Sequence, residues 1–133
     1  MKFKELCDSL EAKIQDSYNE GVTLESAEKL AGEFLFAQMS VSAELKKADL
    51  SARMRKSGVK AVRAAVYIEA ATKDPKRPTE AMLSSIVDTT DLVQSEQEEL
   101  DKAEVERDEL ERFYSIFREA HVHFRGIAKG RFD

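Results

Sequence analysis

The 133-residue chain contains no tryptophan, one cysteine, two prolines and five glycines. Each scarcity excludes something. A lone Cys7 closes no internal disulfide, so a reducing compartment fits best. No histidine lies near it in sequence to make it a nucleophile, and the reading is a thiol packed on the apolar side of a short helix. With so few prolines and glycines there are few places to stop a helix, which points to an all-α chain with little loop. No run of eighteen apolar residues is present, so no membrane span is expected. The first residues, M-K-F-K-E-L-C-D, hold no apolar signal core, and a cytoplasmic protein is expected. By length, residues 1–133 make a single helical domain.

Charge is abundant, and it is sorted along the chain. The net charge of −5 hides four blocks. Residues 46–77 carry ten Lys/Arg against three acids, a net of +7. Residues 78–111 carry twelve acids against Lys102 and Arg107, a net of −10. The first 45 residues sum to −5, and the tail from Arg112 onward to +3. The basic block has two meanings. It is either the surface for a polyanion or a solvated face that balances the acidic helix after it.

Apolar spacing predicts three helices. Phe3, Leu6, Leu10, Ile14 and Tyr18 recur at helical intervals, giving a short amphipathic helix over 2–19. Asn19-Glu20-Gly21 ends it through a left-handed cap, and Thr23 caps the next helix. That helix, 24–73, carries a heptad seam from Ala27, Ala31, Phe34, Gln38 and Val41 through Arg55 to Val59, Val62 and Val66. Only Ser57-Gly58 interrupts the pattern, and one glycine costs about 1 kcal/mol against alanine without ending a helix. At about 1.5 Å per residue it spans roughly 70 Å. Lys73-Asp74-Pro75-Lys76-Arg77-Pro78 is a turn, since neither proline continues a helix. Thr79 caps a third helix, 79–129, with a seam through Met82/Leu83, Ile86, Thr89/Thr90, Val93, Leu100, Leu110, Phe117 and Phe124. Phe113, Ile116, Ala120 and Ile127 widen that seam, and Gly130 closes it.

Two long helices joined by a short turn run antiparallel as a hairpin. With the turn centred near residue 75, Phe34 should meet Phe117, Gln38 should meet Tyr114, Val59 should meet Val93, and Arg55 should lie near Glu96 or Gln97. The apolar faces around 24–41 and 113–127 exceed what one partner helix covers. The short first helix and other copies of the chain are both expected to share them, which makes the protein an oligomer.

Catalytic signals are poor. His121 and His123 are two residues apart on a helix and face different ways, so they do not jointly grip a metal. The acidic ladder from Glu96 to Glu111 reads as a solvated face, because no Ser/His/Asp set or Gly-rich loop accompanies it. No Walker loop is present. A non-enzyme without cofactor or metal is expected. The basic block offers more. Lys56, Lys60 and Arg63 are spaced to share one helix face, and Tyr67 continues the row. Lys73, Lys76 and Arg77 extend the row through the turn. Cations beside an aromatic ring suit a phosphate backbone with a base stacked on the ring, so these seven residues are the candidate DNA-binding set.

The stretch Val59-Lys60-Ala61-Val62-Arg63-Ala64-Ala65-Val66-Tyr67, followed by a short polar turn and an acidic helix ending in Phe124-Arg125-Gly126-Ile127-Ala128-Lys129, resembles the UvsY recombination mediators of large tailed phages. The resemblance covers residues 24–130. It implies a helical, ring-shaped oligomer that binds single-stranded DNA in the cytoplasm of a phage-infected bacterium. It further implies partners: the phage strand-exchange recombinase, and the single-strand-binding protein that the mediator helps the recombinase replace. The family's Lys-x-Arg DNA-binding element falls on Lys60 and Arg63, spaced here as Lys-x-x-Arg. Its Gly-rich turn is replaced here by Pro75 and Pro78. The alternative is a coiled-coil structural or assembly scaffold that binds no DNA.

Overall fold

The computed structural model describes residues 2–73, 76 and 78–130. Among these, every regular element is an α-helix. They are α1 (Phe3–Glu20), α2 (Leu24–Lys73), α3 (Glu80–Thr89) and α4 (Asp91–Ala128). Pro78 lies between α2 and α3; Asp74, Pro75 and Arg77, on which the rest of the expected turn falls, are outside the described residues.

Local chemistry sets the helix ends. Gly21 stops α1 at φ 80° and ψ 169°, a positive-φ conformation open to glycine but not the left-handed helical cap expected, and its N–H donates to the Ser17 carbonyl. At the start of α2, Thr23 and Ser26 form a reciprocal box. The Ser26 N–H donates to Thr23 Oγ1 at 3.1 Å, and the Thr23 N–H donates to Ser26 Oγ at 2.9 Å. Thr79 caps α3, accepting from the Met82 N–H at 3.3 Å. α2 then runs fifty residues without a break, straight through Gly58.

The single helix expected over 79–129 is interrupted. Thr90 is extended, at φ −70° and ψ 128°, and separates α3 from α4. Neither proline nor glycine causes this. Thr89 and Thr90 turn their hydroxyls back onto the Ser85 and Ile86 carbonyls at 2.8 and 2.7 Å. β-Branched residues that bond the preceding turn in this way weaken its continuation. Beyond the break, the Gln94 amide donates to the Asp88 carbonyl at 3.3 Å, satisfying an acceptor that the ended helix leaves open. The interruption resets the seam. Of the expected pair Met82/Leu83 only Leu83 is buried, and Val87 is buried in place of the expected Ile86, which is exposed.

The chain forms two compact units. One comprises the residues up to Lys46 together with those from Asp108. Here α1, the first half of α2 and the second half of α4 enclose Cys7, Ala27, Ala31, Phe34, Ala37, Val41, Leu110, Phe113, Phe117, Ala120 and Phe124. α2 and α4 run antiparallel: Ala31 contacts His121, Phe34 contacts Phe117 and Gln38 contacts Tyr114. Three ion pairs hold α1 down on both sides, Lys13–Glu33 to α2, and Glu11–Arg112 and Lys4–Glu109 to α4. Cys7 rather than Leu6 is the buried centre of α1, and Leu6 is left partly exposed.

The second unit is Lys47–Arg107. Its core is thinner and built from small residues: Ala48, Ala52, Val59, Leu83, Val87, Val93 and Leu100. Arg55, expected on the seam, is exposed, and it lines a surface groove with Lys47, Leu50, Met54, Gly58 and Glu96. Among the described residues no polar or charged side chain is buried in either unit. The folding force is apolar burial along the helix seams.

Candidate nucleic-acid interface

Because α2 is continuous from Leu24 to Lys73, residues spaced four and three apart stay on one face. Lys56, Lys60, Arg63 and Tyr67 therefore make one row in the second unit. Lys56 and Lys60 are exposed, and among the described residues neither takes part in an ion pair. Arg63 and Tyr67 are half-buried.

The second half of the row is engaged by α3. Arg63 Nη2 lies 2.8 Å from Asp88 Oδ1. The Tyr67 hydroxyl donates to Glu80 Oε1 at 3.0 Å. Both interactions follow from the antiparallel course of α2 and α3, which brings the acidic residues after the turn beside the basic residues before it. Sequence reasoning placed Arg63 and Tyr67 on the row but gave them no partners. The signal was present in the block of acids that begins at Glu80.

Lys73 stands off the row. It is six residues after Tyr67, about 600° of helical rotation, which turns it well away from that face. It lines a cleft between α2 and α3 with Val66, Glu69, Ala70, Met82 and Ile86. Lys76 is exposed. Arg77, the last member of the candidate set, lies outside the described residues. The structure thus brings together Lys56, Lys60, Arg63 and Tyr67, and separates Lys73 from them.

The histidines have structural surroundings. His121 Nδ1 sits 2.9 Å from the Ala31 carbonyl on α2. The His123 ring stacks near Tyr18 of α1, with centroids 6.3 Å apart, and meets Phe124 edge-on at 5.2 Å. Among the described residues no cluster of His, Cys, Asp or Glu is arranged to hold a metal ion. No helix among them is long and apolar enough to cross a membrane.

Apolar side chains remain outside both cores. In the unit that holds α1, Phe36 is 72 % exposed and Met39 64 %. In the other, Leu50, Met54 and Ile68 of α2 are all more than half exposed. On a helix these residues lie opposite Phe34, Val41, Ala52 and Val59, so within each unit α2 is apolar on its outer as well as its inner side.

No family model matches the chain, and no curated protein and no solved structure matches it.

Proposed function

We propose that the protein is a non-enzymatic recombination mediator that binds single-stranded DNA along the flank of α2, beside its buried seam and away from the exposed apolar side. The observation that carries this reading is the row of Lys56, Lys60, Arg63 and Tyr67 on one continuous helix face, with its first two cations exposed and unpaired among the described residues. Such a row tracks a phosphate backbone, and the Tyr67 ring offers a surface on which a base stacks. In this reading Lys76 and Arg77 add charge at the turn, while Lys73 contributes through the general field of the block. The likeness of residues 59–67 and 124–129 to the UvsY mediators supplies the process. The protein would help a phage strand-exchange recombinase replace the single-strand-binding protein in the cytoplasm of an infected bacterium.

The reading includes a ring-like oligomer. The exposed Phe36, Met39, Leu50, Met54 and Ile68 are unusual for a surface that meets only water, and a second copy is the partner that covers them. Light scattering at micromolar concentration is expected to give a mass several times the chain's 15.0 kDa.

A second reading has its own observation. The Arg63–Asp88 pair is charge balance between the basic and acidic blocks, which is what a coiled-coil scaffold without DNA binding would contain. Fluorescence anisotropy of a labelled oligo-dT at low salt separates the two. The mediator reading expects binding that weakens steeply as salt rises, and the scaffold reading expects none.

A further inference from the structure

Two of the four residues in the row are already occupied by oxygens of α3. Asp88 holds the Arg63 guanidinium at 2.8 Å, and Glu80 accepts the Tyr67 hydroxyl at 3.0 Å. A carboxylate presents to a guanidinium the same kind of charged oxygen acceptors as a phosphate. We propose that α3 is a built-in phosphate mimic, an acidic cover that a nucleic-acid strand must displace from Arg63 and Tyr67 to occupy the whole row. The proposal rests on the single-strand reading of the row and adds a regulation of that same site.

Three features support it. First, α3 is a separate ten-residue helix, bounded by the Thr79 cap and the extended Thr90. Its acids are carried on this short helix and not on α4, whose hydrogen bond to Asp88 runs from the Gln94 amide to the backbone carbonyl, leaving the Asp88 carboxylate to Arg63. Second, Asp88 lies in the last turn of α3, the end at which the helix dipole disfavours an anion. Its position there opposes the local stability of α3 and is offset by the pairing with Arg63. Third, the pair is open to solvent, with side-chain exposures of 43 % for Arg63 and 61 % for Asp88. Exposed pairs of this kind are weak, so the cover is displaceable by a polyanion that also engages Lys56 and Lys60. A strand would first meet the two open lysines and then exchange Asp88 for a phosphate at Arg63. The exchange lowers affinity and eases release, which suits a protein that hands its strand on.

The test uses the full chain and a labelled oligo-dT in a salt series. Asp88→Asn keeps the shape of the side chain and removes its charge. It is expected to tighten binding roughly 1.5- to five-fold, the reverse of an exposed ion pair's worth. It should also steepen the log–log salt dependence by up to about 0.7, because Arg63 then neutralises a phosphate instead of exchanging partners. Asp101→Asn is the control for charge alone. It removes one negative charge from the same unit, at a residue engaged with Gln97 rather than with the row. Glu80→Gln is a second variant should Asp88→Asn lose helicity, and it too is expected to tighten binding. If wild type binds and Asp88→Asn or its substitute binds no tighter, or if Asp101→Asn reproduces the whole gain, the cover is wrong and the single-strand reading stands. If neither wild type nor variants bind at low salt, the single-strand reading fails and the cover falls with it.

Discussion

Phe34 and Phe117 meet across α2 and α4 with ring centroids 5.7 Å apart, and both are fully buried. Phe34 also stacks on Phe124 at 5.6 Å, and Phe117 on Phe113 at 5.7 Å. These four rings are the largest fully buried side chains among the described residues. Phe34→Ala is expected to cost about 3–5 kcal/mol of unfolding free energy, read from the denaturant midpoint. Val59→Ala in the other unit removes two methyl-sized groups rather than a ring and is expected to cost less, at about 0.8 kcal/mol per group before any cavity term.

Gly58 sits inside α2 with a helical backbone. A Cβ added there would meet only Glu96 Oε2, at 3.8 Å, which is an ordinary van der Waals separation. Gly58→Ala is therefore expected to stabilise the protein by about 0.5–1 kcal/mol, through the helix propensity gained and the freedom removed from the unfolded chain. A higher thermal midpoint checks it. A fall would mean that Gly58 is needed for close approach to a partner.

The antiparallel register was legible because heptad spacing and a proline turn fix it together. Phe34 opposite Phe117 and Gln38 opposite Tyr114 follow from where Pro75 and Pro78 fall. The break at Thr90 was not read, since Thr89 and Thr90 fit the seam by spacing alone. Their competing chemistry, hydroxyls bonded to the preceding turn and Asp91 ready for a new first turn, is visible in the sequence but outranked there by periodicity. The phase change from Ile86 to Val87 followed from that omission. At the candidate site, helical spacing gave Lys56, Lys60, Arg63 and Tyr67 as one row. It did not give Asp88 and Glu80 as their partners, although the register that sets Val59 opposite Val93 already places Arg63 opposite Asp88; the rule was applied to the apolar seam and not to the charges beside it.

Cys7 is buried, and its thiol pKa is pushed up from 9.0 to about 11, first by burial and then by Asp8 and Glu109. Ionisation is thus disfavoured in the folded state. Below pH 9 the thiol is neutral in both states and contributes no pH dependence. Between about pH 9 and 11 the unfolded chain ionises first, so stability falls as pH rises through this window. Cys7→Ala should remove that fall. At neutral pH an alkylating reagent should label the native thiol far more slowly than the unfolded one.

Tyr67 offers a ring to a base and a hydroxyl to Glu80. The two roles separate by substitution. Tyr67→Ala is expected to lose roughly 1–3 kcal/mol of single-strand affinity with little change in salt slope. Tyr67→Phe keeps the ring, gives up the hydrogen bond and should bind at least as well as wild type. Anisotropy titrations at fixed salt compare them.

The central claim, that the exposed cations of α2 hold a phosphate backbone, is tested most directly by the salt dependence of single-stranded DNA binding in wild type and in Lys56→Glu/Lys60→Glu. Both side chains are exposed and away from the buried seam, so helicity and oligomer size should not change. Wild type is predicted to bind in a salt-sensitive way and the variant more weakly, with a log–log slope flatter by about 0.7 for each phosphate that is no longer neutralised. Wild type that fails to bind at low salt, or a double variant that binds as tightly and as steeply as wild type, would contradict it.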